Sequence, residues 1–101
     1  MTFASFGSLG VMPGQRDAVV ELLTRSNREM AEDAGCLLYE VGVNEDEPDA
    51  VFVIELWTSA EAHQASLQLP SVREAIAEAM PLLSGKMSGS RFSVVGSPLR
   101  D

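Results

Sequence analysis

At 101 residues with 46% apolar side chains, the chain reads as a single domain, 1–101, large enough to bury a core without disulfide or metal staples. Seven basic against 15 acidic residues give a net charge of −8, which repels nucleic acid and anionic membrane surfaces. The single cysteine, Cys36, rules out an internal disulfide and fits a reducing cytoplasm. The opening MTFASFGSLG has no basic region and no long apolar run, so no signal peptide is expected. No segment approaches the roughly 20 apolar residues of a membrane span.

Thr2 to Met12 reads as a first strand with Phe6, Leu9 and Val11 as its bulk. Its glycines leave room for a ligand or a neighbouring backbone, or else mark an ordinary edge strand. Pro13-Gly14 breaks that strand, with Pro13 suited to a helix start. From there to Ala34, Val19, Leu22, Leu23, Ser26 and Met30 recur at three- and four-residue spacing, predicting a surface helix of about six turns. Gly35 can take the left-handed conformation that stops it.

A hairpin follows. Its first strand runs from about Cys36 to Val43, with Leu37, Tyr39 and Val41 on one face and Cys36, Leu38 and Glu40 on the other. Asn44 to Asp49, with Pro48, is an acidic turn. The second strand, Val51 to Trp57, is apolar on both parities except at Glu55, so both faces of the sheet must be covered. Helices suffice for about one face, and a second copy of the chain is expected on the other, making a homodimer.

Thr58 and Glu61 form a capping-box pattern that opens a short helix ending near Leu67. Pro70 interrupts the helical material, and Ser71 with Glu74 suggests a second box and a second helix. The expected buried stripe of that helix is Val72, Ile76, Ala79, Met80 and Leu83, with Gly85 closing it. Lys86 to Gly96 supplies the last strand. Strand, helix, strand, strand, broken helix, strand is the split βαβ order of an α+β ferredoxin-like fold. It has a four-stranded antiparallel sheet with helices on one face.

No phosphate loop, nucleophile elbow, CxxC or HExxH occurs. One histidine and one cysteine cannot by themselves make a nitrogen-and-sulfur metal site, and no metal or other cofactor is expected. Glu55, ionisable inside an apolar strand, needs a partner or a proton. It either pairs with an arginine such as Arg91 or Arg73, or moves a proton on a bound substrate from a raised pKa. His63, the sole imidazole, is either exposed or the natural acid–base group near neutral pH. It shares a helix face with Ser66, three residues on. Tyr39 is either a half-buried aromatic at a wet edge or a pocket residue. Cys36 reads as a small buried hydrophobe.

The strings GCLLYEV, FVIELW, TSAEAHQAS and LPSV, in that order, resemble the antibiotic biosynthesis monooxygenase domain family over nearly the whole chain. The resemblance implies a dimeric ferredoxin-like fold and, by analogy with characterised members, oxidation of an aromatic phenol or quinol, such as a polyketide, without metal or flavin. Where members usually carry a histidine on the short helix and often another after the proline, this chain has Ser66 and Ser71, with His63 about one turn earlier. Ile76 stands where haem-degrading relatives have an axial histidine, so haem degradation is not implied. On this reading His63, Glu55 and Tyr39 are the catalytic candidates, and Trp57, Ser66 and Phe52 the substrate-binding ones. Face parity keeps Phe52 and Trp57 out of one pocket. The alternative is a non-catalytic small dimer serving as a binding or accessory protein.

Overall fold

The computed structural model describes residues 1–25 and 34–100. Four strands, β1 (Phe3–Val11), β2 (Cys36–Gly42), β3 (Ala50–Trp57) and β4 (Leu83–Ser93), form one antiparallel sheet in the order β2-β3-β1-β4. The helices α1 (Arg16–Arg25), α2 (Ala60–Ser66) and α3 (Pro70–Ala79) complete the ferredoxin-like α+β arrangement, and a 3₁₀ turn (Met80–Leu82) leads into β4. The predicted second half of the long first helix, with Ser26 and Met30, lies outside the described residues. Among the described residues, no helix is long and apolar enough to cross a membrane.

Several local expectations are corrected. Pro13-Gly14 forms a turn with Gly14 at φ 81°, so α1 starts at Arg16 rather than Pro13. Thr58 is not the cap of α2: Ser59 takes that position, and the Thr58 N–H, which a capping box would offer to Glu61, is donated to the Gly35 carbonyl at 2.9 Å. Ser59 is extended (φ −162°, ψ 163°) and its hydroxyl accepts the Ala62 N–H at 3.0 Å. Ser71 is likewise not a cap: Pro70 occupies the first turn, and Leu69 precedes it without a side-chain cap. β4 begins at Leu83, three residues early, so Gly85 lies within the strand instead of closing a helix. Val72 and Ala79 of the expected α3 stripe are buried, together with Ala75, but Ile76 and Met80 are exposed. A register shift between Cys36 and Leu38 turns Cys36 to the same side as Tyr39, against the predicted alternation.

β1 is an interior strand, and its Gly7 serves the neighbouring backbone. A Cβ on Gly7 would collide with the Ser88 carbonyl of β4, and one on the paired Gly89, at φ 145°, with the Phe6 carbonyl. The core on the helix-covered face falls into two clusters. Trp57, Cys36 and Val72, with Phe3 and Tyr39 against them, fill one end; Val11, Val19 and Val51, with Leu23 and Val41, fill the other. Between the clusters the cross-strand row runs Val41, Val53, Gly7, Gly89. Two of its four residues have no side chain, so the middle of the layer is hollow.

Candidate active site

The sheet register builds the floor of that hollow. Tyr39 lies opposite Glu55, Glu55 opposite Ser5, and Ser5 opposite Arg91, so these four residues cross the sheet in one line. Directly paired residues share a face, and Glu55 shares its own with Trp57 two positions on. That face is the one α2 and α3 cover, as the packing of Trp57 against Val72, Ala62 and Leu67 shows. An inner cavity of about 200 Å³ is lined by Tyr39, Glu55, Trp57, His63 and Ser66, with Ile76 and Arg91. It adjoins an outer cleft of about 580 Å³ over Ser5, Gly7, Gly89 and Met87. Leu23, Tyr39, Glu55 and Arg91 line both.

Glu55 finds its partner locally. The fully buried Trp57 donates its indole N–H to Glu55 Oε1 at 3.0 Å. The two-residue spacing brings about this bond, because positions i and i+2 of a strand project side by side. Neither arginine proposed for Glu55 pairs with it: among the described residues, the only ionisable group within ion-pair range is His63, with Nε2 3.7 Å from the same Oε1. That separation is too long for a hydrogen bond but short for a Coulombic interaction.

His63 turns inward with Ser66, and both are buried. The imidazole sits between Phe3 and Trp57, each at a ring-centroid distance of 5.3 Å. Burial pushes its pKa below the ordinary 6.5, more than the Glu55 carboxylate pulls it up, while Arg91 adds to the depression. The ring is therefore neutral at pH 7 and able to accept a proton. The Ser66 hydroxyl donates to the His63 carbonyl at 2.6 Å, which leaves its oxygen as an acceptor. Tyr39 has its pKa raised, first by burial and then by Glu55, and so stays a protonated phenol that can donate. Burial also raises the Cys36 thiol, which donates to the Leu38 carbonyl at 3.4 Å. Phe52 stands apart, on the opposite face of β3, beside the turn residues Val43 to Asp46. Among the described residues, no group of three or more His, Cys, Asp or Glu could hold a metal ion.

The family model for antibiotic biosynthesis monooxygenase matches residues 3–78, which include Tyr39, Glu55, Trp57, His63 and Ser66 but not the β4 residues Met87, Gly89 and Arg91 of the cleft. The chain belongs to the antibiotic biosynthesis monooxygenase family. A candidate monooxygenase of this family from Chloroflexus aurantiacus J-10-fl is 36% identical over 96% of both chains, with a TM-score of 0.84. The fold recurs in a family candidate from Caulobacter crescentus CB15, at 20% identity over 94% of this chain and 91% of that one, TM-score 0.84. It recurs again in one from Deinococcus radiodurans, at 23% identity over 94% of each chain, TM-score 0.79. No curated protein matches the chain. In this family member the paired Glu55 and Trp57 and the inward His63 were legible as candidates from sequence. Arg91 was legible only as a partner for Glu55, since its position on the cleft wall depends on how β1 and β4 pair.

Proposed function

We propose that the cleft binds an electron-rich aromatic phenol or quinol and oxidises it with O2, without metal or flavin. The observation that carries the reading is His63. It is a buried, neutral imidazole in the wall of the inner cavity, edge-to-face with Trp57 and with the Glu55 carboxylate behind it. A phenol placed against it gives up its proton to the imidazole, and the Glu55 charge stabilises the imidazolium that forms. The phenolate, held by a donor such as the Tyr39 hydroxyl, then passes electrons directly to O2. For an anthrone, the ring CH2 becomes C=O with one oxygen atom, and the other leaves as water with the two hydrogens. The substrate supplies all four electrons. Trp57 forms an apolar wall and Ser66 offers an acceptor. The cytoplasm is the compartment that the single buried thiol fits.

Oxygen uptake with hydroxylated naphthalenes and anthrones tests this reading directly. Consumption of one O2 per quinone formed supports it, and binding without uptake across the panel favours an accessory role.

The working unit on this reading is a homodimer formed through the face opposite the helices. Phe6, Ile54 and Phe92 are each about half exposed there (50%, 53% and 49%), and Phe6 and Phe92 meet edge-to-face at 6.3 Å. Such a patch on a monomer is costly to leave in water, and a stable pair would bury more than roughly 1,000 Å². Sedimentation should show a dimer for the natural protein and a monomer for Ile54→Lys. A natural protein that sediments as a stable monomer at micromolar concentration contradicts the dimer.

A further inference from the structure

We propose that Arg91 determines substrate specificity in this cleft, by pairing with a carboxylate on the aromatic substrate at the end opposite the reacting phenol. The inference rests on the reading of the cleft as a phenol site and adds the chemical class of the molecule it takes. Three observations carry it.

The first is position. Arg91 ends the row Tyr39, Glu55, Ser5, Arg91, with β1 between it and Glu55. Neighbouring strands lie about 4.8 Å apart, so Arg91 and Glu55 stand roughly 10 Å apart at the backbone. The floor between them is Ser5, with the bare Gly7 and Gly89 pair beside it. A flat, fused-ring body can lie across that floor with a polar group at each end.

The second is charge. Among the described residues lining the cleft, Arg91 is the only permanent cation and Glu55 the only carboxylate. No carboxylate of the described residues lies within ion-pair distance of Arg91, in a chain with 15 acidic residues. Glu55, by contrast, is occupied by Trp57 and faces His63. An anionic substituent is thus drawn to the Arg91 end and repelled from the Glu55 end, which fixes which way round the substrate enters.

The third is accessibility. Arg91 is exposed and projects from the helix-covered face, so the sheet-face dimer proposed above leaves it open to ligand. A guanidinium matches a carboxylate in two parallel N–H···O bonds, which a lysine cannot reproduce.

The experiment is a calorimetric titration with 6-hydroxy-2-naphthoic acid, which carries its phenol and carboxylate at opposite ends, and with its uncharged carboxamide and 2-naphthol. The natural protein should bind the acid about tenfold more tightly than the amide. Arg91→Gln should lose that preference while its affinity for the amide stays within about twofold, which also shows the variant is folded. Arg91→Lys should keep only part of the preference, and added salt should shrink it. Equal affinity of the natural protein for acid and amide, or an Arg91→Gln variant that still prefers the acid, overturns the assignment and leaves the phenol-oxidising reading standing. Failure of all three compounds to bind overturns both.

Discussion

Replacing Trp57 by alanine is expected to remove about 3–5 kcal/mol of stability, the range for emptying a buried aromatic site. Trp57 has no exposed surface and ties β3 to Cys36, Val72, Phe3 and the residues around α2. The Ala variant therefore reports on folding more than on ligand binding. Trp57→Phe separates the two. It keeps most of the ring but removes the indole N–H that Glu55 accepts at 3.0 Å. A hydrogen bond to a charged group contributes about 1.5–3 kcal/mol, so the Phe variant should lose that much and remain folded at room temperature. Urea unfolding followed by circular dichroism measures both. Equal stability of the Phe variant and the natural protein would mean that the Trp57–Glu55 bond contributes nothing.

The pH dependence of turnover should show a rising limb whose midpoint lies below 6.5, the ordinary histidine value. Only the neutral imidazole of His63 can take the phenol proton, and burial makes it neutral at lower pH than usual. Glu55 opposes that shift, so Glu55→Gln should move the limb further down while slowing the reaction, because the imidazolium loses its counter-charge. The same group links pH to folding. Its folded pKa is depressed, so on acidification the unfolded chain takes up the proton first. The contribution of His63 to stability is therefore fully present above 6.5 and declines as pH falls through the window just beneath it. Urea midpoints measured on both sides of that window should fall with acid in the natural protein and fall less in His63→Gln. A rate limb centred above 6.5 would assign the proton transfer to some other group.

The order of strands and helices was legible because each break is chemical: Pro13-Gly14, Gly35, the Asn44 turn and Pro70 punctuate the chain where it turns. The placement of Glu55 and Trp57 on one face followed from strand periodicity alone, and the inward turn of His63 and Ser66 matches their helical spacing. What eluded the sequence depends on non-local pairing. The bulge at Leu37 reverses the side on which Cys36 emerges, and nothing in CLLYEVG marks it. Two adjacent hydroxyl residues, Thr58 and Ser59, both suit a cap; the chain places Ser59 there, while the Thr58 N–H bonds the Gly35 carbonyl, a pairing of residues 23 apart. The glycines of β4 hid its early start, and the hollow they help to form with Gly7 appears only once β1 and β4 are in register.

His63→Gln addresses the central claim most directly, because glutamine keeps a polar side chain in the wall of the cavity but cannot take up a proton there. Phenol affinity and oxygen uptake should be measured on the same folded preparation, beside the natural protein. We expect binding to persist and uptake to fall by about 10²–10⁴-fold, the usual contribution of a positioned general base. A variant that binds the phenol and consumes oxygen at the natural rate would contradict His63 as the base, and with it the chemistry assigned to this cleft.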